Sequence, residues 1–203
     1  MNKASIPEKI AGIILAIYVL NVVIWNASSQ KIGIPDNSFK YLEIVIFITC
    51  CAFACVAGIA SKNPKLVLGS LLLYVAYIVG WALWLPVKFP HFPYFNAAVV
   101  GLAVWFAPIA GAIVFVSDAF RRGEKACGLV AILATALFGF DAAVQFFSLF
   151  GPISSYSIYL SIVTYLPAAG FACACIFFLL HDPSRGTAMA LEKKALSEAT
   201  QRQ

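Results

Sequence analysis

The chain has 203 residues, of which 62% are hydrophobic and 11% charged, with a mean hydropathy of +0.90 and a net charge of +5. An ordinary water-soluble domain carries about a quarter charged residues and just under half apolar ones. This composition cannot supply the polar coat of such a domain, so the expected solvent is lipid. The fold class predicted is an all-α integral membrane protein: a six-transmembrane-helix bundle with both termini cytoplasmic.

A helix needs about 20 mostly apolar residues to cross roughly 30 Å of hydrocarbon. The first stretch that qualifies is 10–26, behind Lys3 and Lys9. Its basic start and the small residues Ala27 and Ser29 resemble a signal peptide, but its apolar length and Trp25 favour a retained helix. Asn26-Ala27-Ser28 fits the glycosylation pattern and is read as coincidence at a membrane edge. The second stretch, 41–61, holds Cys50, Cys51 and Cys55, and ends in Ser61-Lys62-Asn63-Pro64-Lys65, a breaker sequence before the third, 66–85. The fourth, 96–117, contains Pro108 and runs into Arg121, Arg122 and Lys125. The fifth, 126–148, contains Asp141 and Gln145; the sixth, 157–181, follows Gly151-Pro152 and contains Pro167. Residues 1–182 form the transmembrane domain, and 183–203 form a tail read either as a short helix lying on anionic lipid through Lys193 and Lys194 or as a solvated end. No connection is long enough for a soluble domain.

Eleven of the 14 Lys and Arg residues fall at the two ends and in the second and fourth connections. Lys31, Lys40 and Lys88 alone fall in the others. Positive loops stay inside, so both termini are placed in the cytoplasm and the protein in the plasma membrane. The net charge is therefore a topology signal and implies no nucleic-acid partner. Pro108-Ile109-Ala110-Gly111 and Pro167-Ala168-Ala169-Gly170 form a weak internal echo about 60 residues apart. Each proline removes a backbone donor, and kinks there are candidate hinges.

With this orientation the cytoplasmic halves read as apolar and small, Ser70, Thr135 and the cysteines excepted. The outer halves collect polar and aromatic residues at helical spacing: Tyr18, Asn21 and Trp25; Tyr74, Tyr77, Trp81 and Trp84; Asp141, Gln145 and Ser148. Converging faces would form an outward-open cavity closed below by packed small residues. Interface enrichment alone would explain Trp25, Trp84, Ser148 and Ser157, but explains Asp141 and Gln145 poorly. A carboxylate within hydrocarbon must be paired, hydrated or protonated, so Asp141 is expected to bond Asn21, Gln145 or Tyr77, or to carry a proton. Glu43 sits at a helix start where solvation accounts for it.

The six cysteines fall inside spans and read as packing residues; Cys51 and Cys55 share a face that could suit a copper or thiol site. Ala131, Thr135, Gly139 and Ala143 make a small-residue run for close helix approach, on roughly the other side of the helix from Asp141. The two histidines, His91 in an outer loop and His181 at the inner edge, leave no haem ligation at membrane depth. No phosphate loop, zinc-protease motif, serine elbow or Cys-x-x-Cys pair occurs. No cofactor and no catalytic pair follow, and an enzyme is the third choice.

The function expected is binding, with transport as its motion-dependent version, of a small or lipid-like molecule through the outer cavity. Asp141, Gln145 and Asn21 would make polar contacts, Tyr74, Tyr77 and Trp81 the aromatic wall, and Pro108 and Pro167 the hinges. The alternative is a non-catalytic membrane partner packing against another integral protein or another copy of itself, through the Ala131 to Ala143 face and the cysteine-rich helices. Membrane lipids are partners in either case.

Overall fold

The computed structural model describes residues 6–32, 36–84, 94–148 and 156–182, with side chains over 6–24, 44–74, 105–147 and 165–182. Six helices and no strands occur among the described residues: α1 (Ile6–Ile32), α2 (Asp36–Ala60), α3 (Pro64–Trp84), α4 (Tyr94–Arg121), α5 (Lys125–Ser148) and α6 (Tyr156–Leu180). All six expected stretches are helical. α1 and α2 extend beyond the expected limits, so Lys31 and Lys40 belong to helices rather than to a loop. The tail 183–203 lies outside the described residues.

Each helix packs against the next in the chain, and α1 also packs against α6, so the bundle closes into a ring. The start of α1, the α2–α3 turn, the α4–α5 turn and the end of α6 all meet at one end, where Glu8, Asn63, Asp118, Glu124 and His181 contact one another. Lys9, Lys62, Lys65, Arg121, Arg122 and Lys125 lie at this same end.

Two tight turns fix this end. In the first, Lys62 takes a left-handed φ of 53° and Asn63 N donates back to Gly58 O at 2.7 Å. In the second, Gly123 takes φ 71° and Glu124 N donates to Ala119 O at 2.9 Å. Both bonds satisfy carbonyls that a helix end otherwise leaves bare. Asn63 then caps α3, its Oδ1 accepting from Leu66 N at 3.3 Å, with Pro64 in the first helical position, where its missing N–H costs nothing.

Aromatic rings from all six helices fill the interior. One layer holds Tyr18, Phe47, Tyr74, Phe138 and Phe171; a second holds Phe115, Phe177 and Phe178, with His181 stacked on Phe177 at 5.2 Å and 13°. Small residues let the helices close around them. A Cβ on Gly111 would meet Gly69 O at 2.7 Å and Leu73 N at 2.9 Å, and one on Gly170 would meet Phe138 at 2.6 Å. The two members of the internal echo thus do the same thing, each seating its helix on the preceding one. Gly139, by contrast, has nothing within 4 Å.

A methyl group at Gly111 strikes backbone, which cannot rotate away, so α3 and α4 must separate. Gly111→Ala is expected to cost about 1–3 kcal/mol as overpacking, whereas Gly139→Ala should gain about 0.5–1 kcal/mol from helix propensity. Thermal unfolding in detergent measures both; equal midpoints for the two variants would refute the assigned packing.

The outer surface is apolar on every helix. Ile13, Leu20, Ile59, Leu68, Ile113, Leu129, Phe147 and Ile176 are all exposed, Ile59 at 70% and Phe147 at 69%. Two helices are long and apolar enough within the described residues to cross a membrane, over Ile6–Ile24 and Lys125–Phe147, and they suggest a membrane location. Shorter apolar segments occur at Ile44–Ala60, Pro64–Tyr74 and Tyr165–Leu180.

Candidate functional site

The charged residues that the sequence places at span edges are buried and joined. Glu8, from the second helical residue after Ile6 in α1, Asp118 near the end of α4, Glu124 at the α4–α5 turn and His181 just past α6 are all at most 4% exposed. His181 is the hub. Its Nδ1 donates to Glu124 Oε2 at 2.6 Å, while its Nε2 faces Glu8 Oε1 at 3.8 Å and Asp118 Oδ2 at 3.9 Å. The latter two separations exceed hydrogen-bond length, and Nε2 and both Glu8 oxygens have no hydrogen-bond partner.

Around this hub the carboxylates are held individually. Asp118 accepts from Asn63 Nδ2 at 2.6 Å and from Arg122 Nε at 3.1 Å. Glu124 accepts from Asp182 N at 3.2 Å and hydrogen-bonds the Cys127 thiol. Lys9 Nζ donates to Phe178 O at 3.2 Å, to Leu179 O and to His181 O at 3.0 Å, covering the carbonyl end of α6 from the start of α1. A cation there also suits the helix dipole.

Burial opposes charge on His181, but the Glu124 hydrogen bond and the charges of Glu8, Glu124 and Asp118 outweigh it and hold the imidazole above its ordinary range. Burial likewise opposes charge on Glu124, and the His181 bond and charge, with help from Cys127 and the Asp182 amide, hold it below its ordinary range. Both shifts favour the charged forms of the pair. Beside Glu124, Cys127 and Asp182 lies a recess of about 320 Å³, also lined by Lys125, Ala126 and Leu180. Glu124, Cys127 and His181 offer oxygen, sulfur and nitrogen ligand atoms all within 4.8 Å of one another.

These positions were not among the expected site residues. The inner halves were expected to be apolar and closed by small residues; small residues do pack there, but a charged cluster lies at the end. Glu8, Asn63, Asp118 and Glu124 fall one or two residues beyond an apolar span and His181 is the last residue of one, where sequence treats a charge as a solvated edge. The usable signal was that Glu8, Asn63, Asp118, Glu124 and His181 share one parity.

Of the expected site, Asp141 and Gln145 are brought together: Gln145 Nε2 donates to Asp141 Oδ2 at 2.8 Å, one turn along α5. Asp141 is buried and its Oδ1 has no hydrogen-bond partner. Tyr74 is fully buried with its ring 5.9 Å from Phe47 and stacked at 6.3 Å on Phe171, and its hydroxyl has no partner. It is thus a core residue in this conformation, not bonded to Asp141. Asn21 is half-buried on α1 and is not the Asp141 partner. Tyr77 and Trp81 belong to α3, but their side chains lie outside the described residues. Pro108 and Pro167 are buried inside α4 and α6. Cys51 and Cys55 hydrogen-bond each other, while Cys51 also donates to Ser70 O at 4.0 Å.

No family model, no curated protein and no solved structure matches this chain.

Proposed function

We propose that the protein spans the membrane six times and binds, and carries across it, a small polar or lipid-like molecule. Asp141 and Gln145 make the polar contact, and the His181 cluster closes the cytoplasmic end. The observation that carries this reading is Asp141. It is a carboxylate in the apolar length of α5, turned into the bundle, bonded to its own helix and left with one bare oxygen. A carboxylate kept at such a depth costs several kcal/mol by some measures, and packing alone gives no reason to keep it. The exposed apolar residues on all six helices support lipid as the solvent. Pro108 and Pro167 are the places where α4 and α6 would bend to admit the ligand, and Asn21, Tyr77 and Trp81 are proposed for its outer wall.

The test is access. Asp141→Cys, Gln145→Cys, Tyr77→Cys and Asn21→Cys are placed singly in a cysteine-free background and treated from the outer side with an impermeant thiol reagent. Labelling at all four is the expected result. Correctly inserted protein that labels at none would overturn the reading.

A second reading has its own observation. Gly139 faces open space although every other described glycine with a neighbour is tightly packed. The α5 face of Thr135, Gly139 and Ala143 would then receive a helix of another membrane protein or of a second copy. In that case Gly139→Leu disrupts the assembly, and Asp141→Asn has little effect.

A further inference from the structure

We infer that the cytoplasmic-end cluster is a binding site for one divalent transition-metal ion of the zinc class, held by His181 Nδ1, a Glu124 carboxylate oxygen and Cys127 Sγ. It goes beyond the transport reading and does not depend on it, since Asp141 and Gln145 take no part.

Three observations converge. First, the donor atoms are of the three kinds that zinc accepts, and all lie within 4.8 Å of one another. Donors on one tetrahedral ion with bonds of about 2.0–2.3 Å stand roughly 3.3–3.7 Å apart. The Nδ1 to Oε2 separation of 2.6 Å is a proton-bridged version of that spacing, and Glu124 is bridged to Cys127 in the same way. Shifts on the order of 1 Å turn one arrangement into the other.

Second, the outer face of the histidine is prepared. A ligating imidazole usually donates its other N–H to a carboxylate, which sets its tautomer and orientation. With Nδ1 on the metal, His181 Nε2–H points toward Glu8 Oε1 at 3.8 Å and Asp118 Oδ2 at 3.9 Å, and Nε2 and both Glu8 oxygens have no other hydrogen bond. Glu8 is completely buried, and neither of its oxygens has a hydrogen-bond partner. Third, the ligand set has an approach. The 320 Å³ recess reaches Glu124 and Cys127, and its opening leaves the fourth coordination position to water.

Binding balances as an exchange. The divalent ion replaces the Nδ1 proton of the imidazolium and the thiol proton of Cys127. A neutral imidazole, a carboxylate and a thiolate then surround it, two protons leave, and no redox step is involved. The mixed nitrogen, oxygen and sulfur set disfavours magnesium and calcium, which take oxygen ligands.

The experiment uses the full chain in detergent, stripped with chelator under reducing conditions and titrated with Co²⁺. The expected result is one Co²⁺ per chain, a thiolate-to-cobalt charge-transfer absorption, tetrahedral visible bands, two protons released and displacement by Zn²⁺. Cys127→Ser should lose the charge-transfer absorption, and Cys55→Ser should keep it. Glu8→Gln should weaken binding about 10–100-fold. Absence of stoichiometric binding, or the absorption persisting in Cys127→Ser, would overturn the site. X-ray absorption on the Zn²⁺-loaded wild type covers the case where Cys127→Ser does not fold: one sulfur with nitrogen and oxygen neighbours is expected, and a shell with no sulfur or with two overturns the assignment.

Discussion

His181→Ala should destabilise the metal-free protein by about 3–5 kcal/mol, the usual cost of removing one partner from a buried ionic network. The imidazole is bonded to Glu124 and lies within 4 Å of Glu8 and Asp118, so its loss strands the Glu124 carboxylate, while Glu8, which burial already raises to about 7, is pushed further toward its neutral form. Thermal unfolding of the chelator-treated protein in detergent reads the effect. Replacing both partners, His181→Leu with Glu124→Leu, should cost less than His181→Ala alone, because an apolar pair leaves fewer charges uncompensated. The pH dependence has a definite sign. His181 is raised above its ordinary 6.5, so its contribution is complete below about pH 6.5 and fades as pH climbs through the folded value. Glu124 is lowered from its ordinary 4.5, so its contribution is complete above about pH 4.5 and fades as pH falls through the folded value. The pair therefore stabilises most between those two limits. A wild-type profile that matches that of His181→Ala across this range would refute the ion pair.

The second large effect is expected at Phe171. Its ring lies 4.9 Å from Phe47, 5.2 Å from Phe138, 5.7 Å from Tyr18 and 6.3 Å from Tyr74, which makes it the common neighbour of rings from α1, α2, α3 and α5. In the proposed lipid setting there is no hydrophobic drive between helices, so the contribution of such a residue would be dispersion and the avoidance of a void. Phe171→Ala opens a cavity in the middle of the ring of helices, and about 3 kcal/mol of destabilisation is expected. Phe171→Leu keeps most of the volume and should cost under about 1.5 kcal/mol. Unfolding by graded denaturing detergent compares the two; a loss as large for leucine as for alanine would mean that ring geometry, not volume, is what Phe171 supplies.

The helices were legible because their signal is long and uniform: each is a run of apolar residues punctuated by turn chemistry such as Asn63-Pro64 and Gly123. The pairing of Asp141 with Gln145 was legible too, since four residues on a helix make one face. The charged cluster was not, because it depends on which span ends meet. Glu8, Asp118 and Glu124 look like ordinary solvated ends until the ring closes and brings His181 between them. The surroundings of Tyr74 likewise depend on how the helices meet. Its spacing with Tyr77 fits a cavity wall, yet inside a ring of six helices the same face meets Phe47 and Phe171. Lys9, Lys65 and Arg122 were read for topology alone, but they also tie α1 to α6, α3 to Ser117 and the α4–α5 turn to Asp118.

The closure of α1 against α6 has a consequence for synthesis at the ribosome. Glu8 lies in α1, whereas the histidine it faces follows α6, so the acid is made well before its partner. A nascent chain therefore holds a carboxylate without its counter-charge until five further helices are in place. Asn63 and Asp118 can meet earlier, once the fourth helix enters, so the polar end assembles in two stages and His181 completes the second. Chains stalled before that point leave the acid on α1 without its partner, a physical mark that distinguishes unfinished molecules from finished ones.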